Sequence, residues 1–171
     1  DGTVVGGGLG QLAYVGVRRD IESRCQGSGC REVLKNEGFP CNVHRFSRPS
    51  IAGEALGWEA FIDGLRAWVD TWKPPIGIFV TQDLYCRYLI DVCRSKGLHV
   101  SQDVAIVGTT NEAVICASPA PSLTSIDLSY GQIGYRAAAL LDRLMDGKEV
   151  PTEPVLVRPA ELVPRQSTDS Y

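Results

Sequence analysis

Apolar residues return at three- and four-residue steps between Trp58 and Trp72: Trp58, Phe61, Ile62, Leu65, Trp68, Val69 and Trp72 fall on one stripe. That spacing predicts an amphipathic helix. Pro74-Pro75 stops it, because proline lacks a backbone donor and cannot continue the turn. Leu12–Val17, Ile76–Val80 and Val104–Val107 are compact apolar runs of the kind that form fully buried strands, and Cys41–Phe46 alternates as a strand does. A polar segment after Val17 leads into a short helix over Arg31–Glu37, with Gly38 as its stop. Asp83–Lys96 predicts a longer helix, Leu84, Tyr88, Leu89 and Val92 inward, stopped by Gly97. The residues between Gly108 and Leu123 read as irregular. Leu123–Ile126 is a further strand, and Ser129 is placed to cap a helix carrying Ile133, Ala137, Leu140, Leu141 and Leu144 as far as Gly147. Val155–Val157 and Leu162-Val163 close the chain as short strands among prolines.

Strands and helices in strict alternation imply parallel strands joined by right-handed crossovers. The expected fold is an α/β, doubly wound parallel sheet with helices on both faces. Such sheets bind ligands beyond the carboxyl ends of their strands. The segments that matter are therefore 17–26, 47–48, 81–83, 109–112 and 127–129. Asp83 opens a helix, where a carboxylate suits the helix dipole and is also placed to meet a ligand; Gln82 stands beside it. Thr110, Asn111 and Glu112 offer donors and acceptors suited to sugar hydroxyls, or form a plain turn. Arg24 and Gln26 fall in the loop after the first strand, where they fork onto a ligand or face solvent.

Composition narrows the choice. The 171 residues carry a net charge of −3, with 44% hydrophobic and 22% charged residues, an ordinary globular mixture. A domain that holds DNA unaided carries a basic face; here Arg18-Arg19, Arg24 and Arg31 are diluted by Asp20, Glu22 and Glu32, so this segment is not expected to bind DNA itself. No apolar stretch approaches the ~20 residues of a membrane span, and no secretory signal is visible. Asp1 is not a translation start, so a longer product is expected. Cys25, Cys30, Cys41, Cys86, Cys93 and Cys116 form no C-x-x-C pair, and His44 and His99 lie far from them in sequence; reduced, mostly buried thiols and no metal are expected. Cys86 and Cys93 share a helical face two turns apart, too far to bridge.

Motifs for catalysis and nucleotide binding fail. The run Gly6-Gly7-Gly8-Leu9-Gly10 has Gln11 where a dinucleotide fingerprint needs its last glycine, and a strand follows it, so it reads as a connector. Gln26-Gly27-Ser28-Gly29-Cys30 places its glycines beside the serine instead of two residues away, so it is no nucleophile elbow. No nucleophile, base and oxyanion donor assemble, and no cofactor is expected.

The segment from Asp103-Val104-Ala105-Ile106-Val107-Gly108 through Thr109-Thr110-Asn111-Glu112, followed by Pro121-Ser122-Leu123-Thr124-Ser125-Ile126, resembles the lactose-repressor family of transcription regulators. So do 133–147 and the closing Val163-Pro164-Arg165-Gln166-Ser167-Thr168, and within the family the chain is most similar to xylose-operon regulators, with Asn111-Glu112 and Cys116 in common. The resemblance covers about Leu12 to Thr168. It implies a periplasmic-binding-protein-like core with a sugar effector in the cleft between two lobes, a homodimer, and a cytoplasmic protein that reaches operator DNA through a separate N-terminal domain, with no membrane involvement. It divides this chain into a connector (1–11), most of the C-terminal lobe (12–126), a helix returning toward the N-terminal lobe (127–147) and a return to the C-terminal lobe (148–171). The effector-binding residues it implies are Arg24, Gln26, Gln82, Asp83, Thr110 and Asn111. Two depart from the family pattern: Gln26 stands where an arginine is usual, with Arg24 displaced by two, and Thr110 replaces an aspartate. The family's helix before the first strand also has no counterpart in Asp1–Gln11. A transporter's solute-binding protein shares the fold and is the second reading; an α/β enzyme is the third.

Overall fold

The computed structural model describes residues 8–48, 55–149 and 151–171. Along the chain run β1 (Gln11–Val17), α1 (Ile21–Asn36), β2 (Cys41–Phe46), α2 (Ala55–Val69), β3 (Ile76–Val80), α3 (Asp83–Ser95), β4 (Val104–Thr109), α4 (Ala113–Ala117), β5 (Thr124–Ile126), α5 (Tyr130–Met145) and β6 (Leu162–Val163), then a single 3-10 turn, Gln166–Thr168. The strands form one sheet in the order β2-β1-β3-β4-β5-β6. All pairings are parallel except the last, where Ser125 pairs Val163 and Ile126 pairs Leu162 antiparallel. The expected parallel α/β sheet is therefore present, with an antiparallel edge. Val155–Val157, read as a strand, stays outside the sheet.

The main core lies between one face of the sheet and α2 and α3. Val15 and Val17 from β1, Ile78 and Val80 from β3, and Val104 and Ile106 from β4 meet Phe61 and Leu65 of α2 and Leu89, Ile90 and Cys93 of α3. Strand residues alternate between faces, so Tyr14 points the other way, beneath α1. Its hydroxyl donates to the Ser23 carbonyl at 2.7 Å. A Cβ at Gly27 would lie 2.7 Å from the Tyr14 ring, so only glycine lets the helix settle there. This contact explains why α1 is a full helix of 16 residues instead of the short one over 31–37. Its Gly27-Ser28-Gly29 stretch has poor intrinsic propensity. Packing supplies what propensity lacks, and the Asp20 side chain caps the helix by accepting from the Ser23 amide at 2.9 Å.

Two further helices differ in detail from the sequence reading. In α3 the buried face is Tyr85, Cys86, Arg87, Leu89, Ile90, Val92 and Cys93, with Tyr88 partly buried against the core; Leu89 and Val92 face inward as expected, whereas Leu84 is 44% exposed. In α5 no residue is buried, although its apolar period is regular; Tyr135 and Met145 are 77% and 80% exposed. Ser129 does not cap α5 with its side chain: its backbone is left-handed (φ 59°), and its amide donates to Asp127 Oδ1 at 2.7 Å.

On edge strand β2, His44 stacks on Trp68 (centroids 4.5 Å apart, 12° between planes). Burial, assisted by the charge of Arg18, lowers the His44 pKa. A histidine whose folded pKa lies below its unfolded value of about 6.5 is protonated first in the unfolded chain. Its contribution to stability is therefore present above that value and is lost as pH falls through it. The urea midpoint is expected to drop between pH 7.5 and 5.5, and His44→Gln should flatten part of that drop. An equal slope in the variant would show that His44 has no share in it.

Candidate functional site

The carboxyl ends of β1, β3, β4 and β5 open on one side of the sheet, and the residues after them build the site. Asp83 is at its base. It is the first residue of α3 and only 1% exposed. Burying a carboxylate is costly unless donors replace water, and four protein groups do so. Oδ2 accepts from the Thr110 hydroxyl (2.8 Å), the Glu112 amide (3.0 Å) and the Cys116 thiol (3.2 Å), and Oδ1 accepts from the Ser125 hydroxyl (2.6 Å). The Cys116 thiol is pushed up to about 11 by burial, and the hydrogen bond to Asp83 acts in the same direction, so it stays protonated and donates. A Cβ on Gly108 would come within 2.2 Å of Asp83 Oδ1, so β4 needs glycine there for the carboxylate to fit. Asp83 therefore points into the protein and holds the loop after β4, and does not face the opening.

That loop is bent. Thr110 and Asn111 both have positive φ, 104° and 52°, a conformation uncommon for residues with a Cβ. The Asp83 bonds and the Asn111 amide, which donates to Ser125 Oγ at 3.0 Å, fix it. The Asn111 side chain is held at both ends: Arg165 Nη2 donates to its Oδ1 at 2.7 Å, and its Nδ2 donates to Asp127 Oδ2 at 3.3 Å. Arg165 Nη1 donates to the Leu123 carbonyl at 2.7 Å.

Gln82 precedes α3 in extended conformation, is half-buried, and its side chain makes no cap bond. Gln82, Asp83, Thr110 and Asn111 thus lie together. Arg24 and Gln26 do not lie in a loop; both are on α1, because the helix begins at Ile21. Arg24 is exposed. Gln26 is tied locally: Oε1 faces the Tyr14 hydroxyl at 3.2 Å and Nε2 donates to Glu22 at 3.2 Å. Glu112 contributes its backbone amide to Asp83, and its side chain is exposed.

Residues outside the six expected effector contacts complete the site. Asp127 and Arg165 frame Asn111, and Ser125 and Cys116 hold Asp83. Tyr130, at the start of α5, is half exposed. Partial burial raises its pKa, and the charges of Glu22 and Asp83 act in the same direction. Asp127 falls in the segment 127–129 expected to matter because it directly follows a strand. Nothing in the spacing pointed from Asp83 to Ser125, 42 residues on. Asp20, the N-cap of α1, also pairs with Arg48 at 3.1 Å, linking the ends of β1 and β2.

Residues 4–168 match the family described as periplasmic binding protein-like domain. The chain is 32% identical over 112 residues to the xylose operon regulatory protein of Escherichia coli K12, covering 66% of this chain and 29% of that protein. A solved structure of the xylose-binding transcription activator xylR superposes with a TM-score of 0.81 at 26% identity, over 95% of this chain and 43% of that one. A dimeric Lac repressor shares the fold, with a TM-score of 0.77 at 19% identity over 95% of this chain and 56% of its own. The chain thus spans less than half the length of the two xylose regulators it matches. Matched across nearly all of its length, and with xylose-operon regulators and a Lac repressor among its homologues and structural neighbours, this chain belongs to the periplasmic-binding-protein-like domain family.

Proposed function

We propose that this chain is the effector-binding C-terminal lobe of a sugar-responsive transcription regulator, with a neutral pentose of the xylose type seated over the carboxyl ends of β3, β4 and β5. The observation that carries the reading is the bent Thr110–Asn111 loop, held from below by Asp83 and from the side by Arg165 and Asp127. Gln82, Thr110 and Asn111 give a rim of uncharged donors and acceptors, and Tyr130 adds an aromatic face. Preorganised neutral hydrogen-bonding groups beside an aromatic ring suit a polyol better than an anion. Gln82, Thr110 and Asn111 meet the sugar; Asp83 positions them. Of the two candidates on α1, Arg24 is exposed and free to turn toward the sugar, whereas Gln26 would first have to release Tyr14 and Glu22.

The similarity to xylose-operon regulators supports a sensor and not a catalyst. In the whole regulator, a cytoplasmic homodimer, the sugar would shift the balance between two lobe arrangements by binding one more tightly, and a separate domain would hold operator DNA. Among the described residues no helix is long and apolar enough to cross a membrane.

Nuclear magnetic resonance titration of the chain with millimolar D-xylose is expected to shift the signals of Gln82, Thr110, Asn111 and Tyr130, with xylose 5-phosphate weaker. Asn111→Ala should weaken binding about tenfold, equivalent to ~1.4 kcal/mol. Sugar-dependent shifts confined to other faces, or unchanged by Asn111→Ala, would sink this placement.

A further inference from the structure

Away from the opening, α1 and the edge strand β2 bring two thiols together. Cys30 Sγ and Cys41 Sγ lie 3.9 Å apart, and both residues are half-buried, so small oxidants reach them. The pair joins the middle of α1 to the first residue of β2. A disulfide needs sulfur atoms about 2.0 Å apart, so the two side chains together must close about 1.9 Å. The remaining thiols are differently placed: Cys86, Cys93 and Cys116 are buried, and Cys25 is exposed on the first turns of α1.

We propose that Cys30 and Cys41 form an oxidative modification site, a dithiol that closes to an intramolecular disulfide with hydrogen peroxide or a low-molecular-weight disulfide as the oxidant. With peroxide, one thiol loses its proton and attacks an oxygen, giving a sulfenic acid and water; the second thiol displaces the hydroxyl, giving the S–S bond and a second water. Two thiols lose two electrons and two protons, and one peroxide becomes two waters. With a disulfide oxidant, the first thiol forms a mixed disulfide and the second expels the other half as a thiol. Burial and the neighbouring sulfur push the Cys30 thiol up to about 12, which keeps it protonated until an oxidant draws on the pair. The bond would tie α1 to β2 across a sequence separation of 11 and leave the rim at the strand ends open.

The test uses the 171-residue chain, reduced and then treated with a small excess of hydrogen peroxide or millimolar oxidised glutathione. Intact mass should fall by about 2 Da, and two of the six thiols should resist alkylation. Cys25 and Cys30 share one tryptic peptide, so the link to the Cys41 peptide is assigned in Cys25→Ser, where it should persist; in Cys30→Ser and Cys41→Ser it should vanish. Without any variant, the oxidised protein should melt several degrees higher than the reduced protein, because the bridge restricts the unfolded chain. A stable glutathione adduct on Cys41, a bond through Cys25, a bond between two chains, or unchanged thiol counts would each overturn the assignment.

Discussion

Asp83→Ala is expected to lower the unfolding free energy by about 3 kcal/mol, and the melting temperature of a chain this size by about 6–12 °C. Four donors lose their acceptor together: the hydroxyls of Thr110 and Ser125, the Glu112 amide and the Cys116 thiol. The gross loss is larger, since hydrogen bonds to a charged group contribute about 1.5–3 kcal/mol each, but removing a buried carboxylate also relieves its desolvation, and the net is the smaller figure. Asp83→Asn keeps the shape and one acceptor oxygen while turning an amide NH2 toward donors, so it should cost less, about 2 kcal/mol. Urea unfolding measures both. If Asp83 only marked a sugar contact, either change would abolish binding and leave the midpoint in place; an unmoved midpoint would therefore overturn the positioning role given to it here.

Arg87 is the second position where a single change should be severe. Its guanidinium is buried on α3 and donates to four carbonyls: Nε to Ile115 (2.7 Å), Nη1 to Pro119 (2.7 Å) and Pro121 (2.8 Å), and Nη2 to Cys116 (3.0 Å). Burial lowers its pKa, yet arginine stays charged at neutral pH, so the charge must be spread over these oxygens. The fan of carbonyls is what folds α4 and residues 117–121 back onto α3. Arg87→Met keeps most of the aliphatic stem and loses every donor; it should cost about 3 kcal/mol. Arg87→Lys should rescue little, because one ammonium cannot span carbonyls arranged for a planar fork. Hydrogen exchange gives the clearest readout: protection of the Ile115 and Cys116 amides, which donate to the Glu112 carbonyl, should fall before the sheet amides do. Uniform loss across the sheet, or none, would count against a local clamp.

How much of this the sequence disclosed depends on how local the determinant is. The stripe from Trp58 to Trp72 and the apolar runs of β3 and β4 are local, and their elements were legible. Helix α1 was not, because its Gly27-Ser28-Gly29 stretch is helical only where the Tyr14 ring rests on Gly27, a contact across 13 residues. For α5 the period was plain, but a period announces that a helix has an apolar face and says nothing of what covers it; here that face is exposed. The site followed the same division. The rule that ligands sit beyond strand ends picked out the segments that hold Gln82, Thr110 and Asn111, which the fold brings together. It did not give the direction of Asp83, which depends on Cys116 and Ser125, nor the hold of Arg165 on Asn111 from 54 residues away. Arg24 and Gln26 were assigned to a loop because the capping of α1 by Asp20 went unread.

The excursion that carries α5 leaves and re-enters the sheet at one place. Asp127 donates its amide to the Glu161 carbonyl and accepts from the Ala160 amide, both at 2.9 Å, so the outgoing and returning chains are stitched side by side. Everything between, α5 included, is cantilevered from that two-strand root, with no buried side chain among its described residues to brace it. A force on the far end therefore acts as torque on Asp127, whose carboxylate grips both the Ser129 amide and the Asn111 side chain. The same residue is the fulcrum of the arm and a wall of the proposed binding rim, so a swing of the arm would strain that rim, and a ligand that stiffened the rim would restrain the swing.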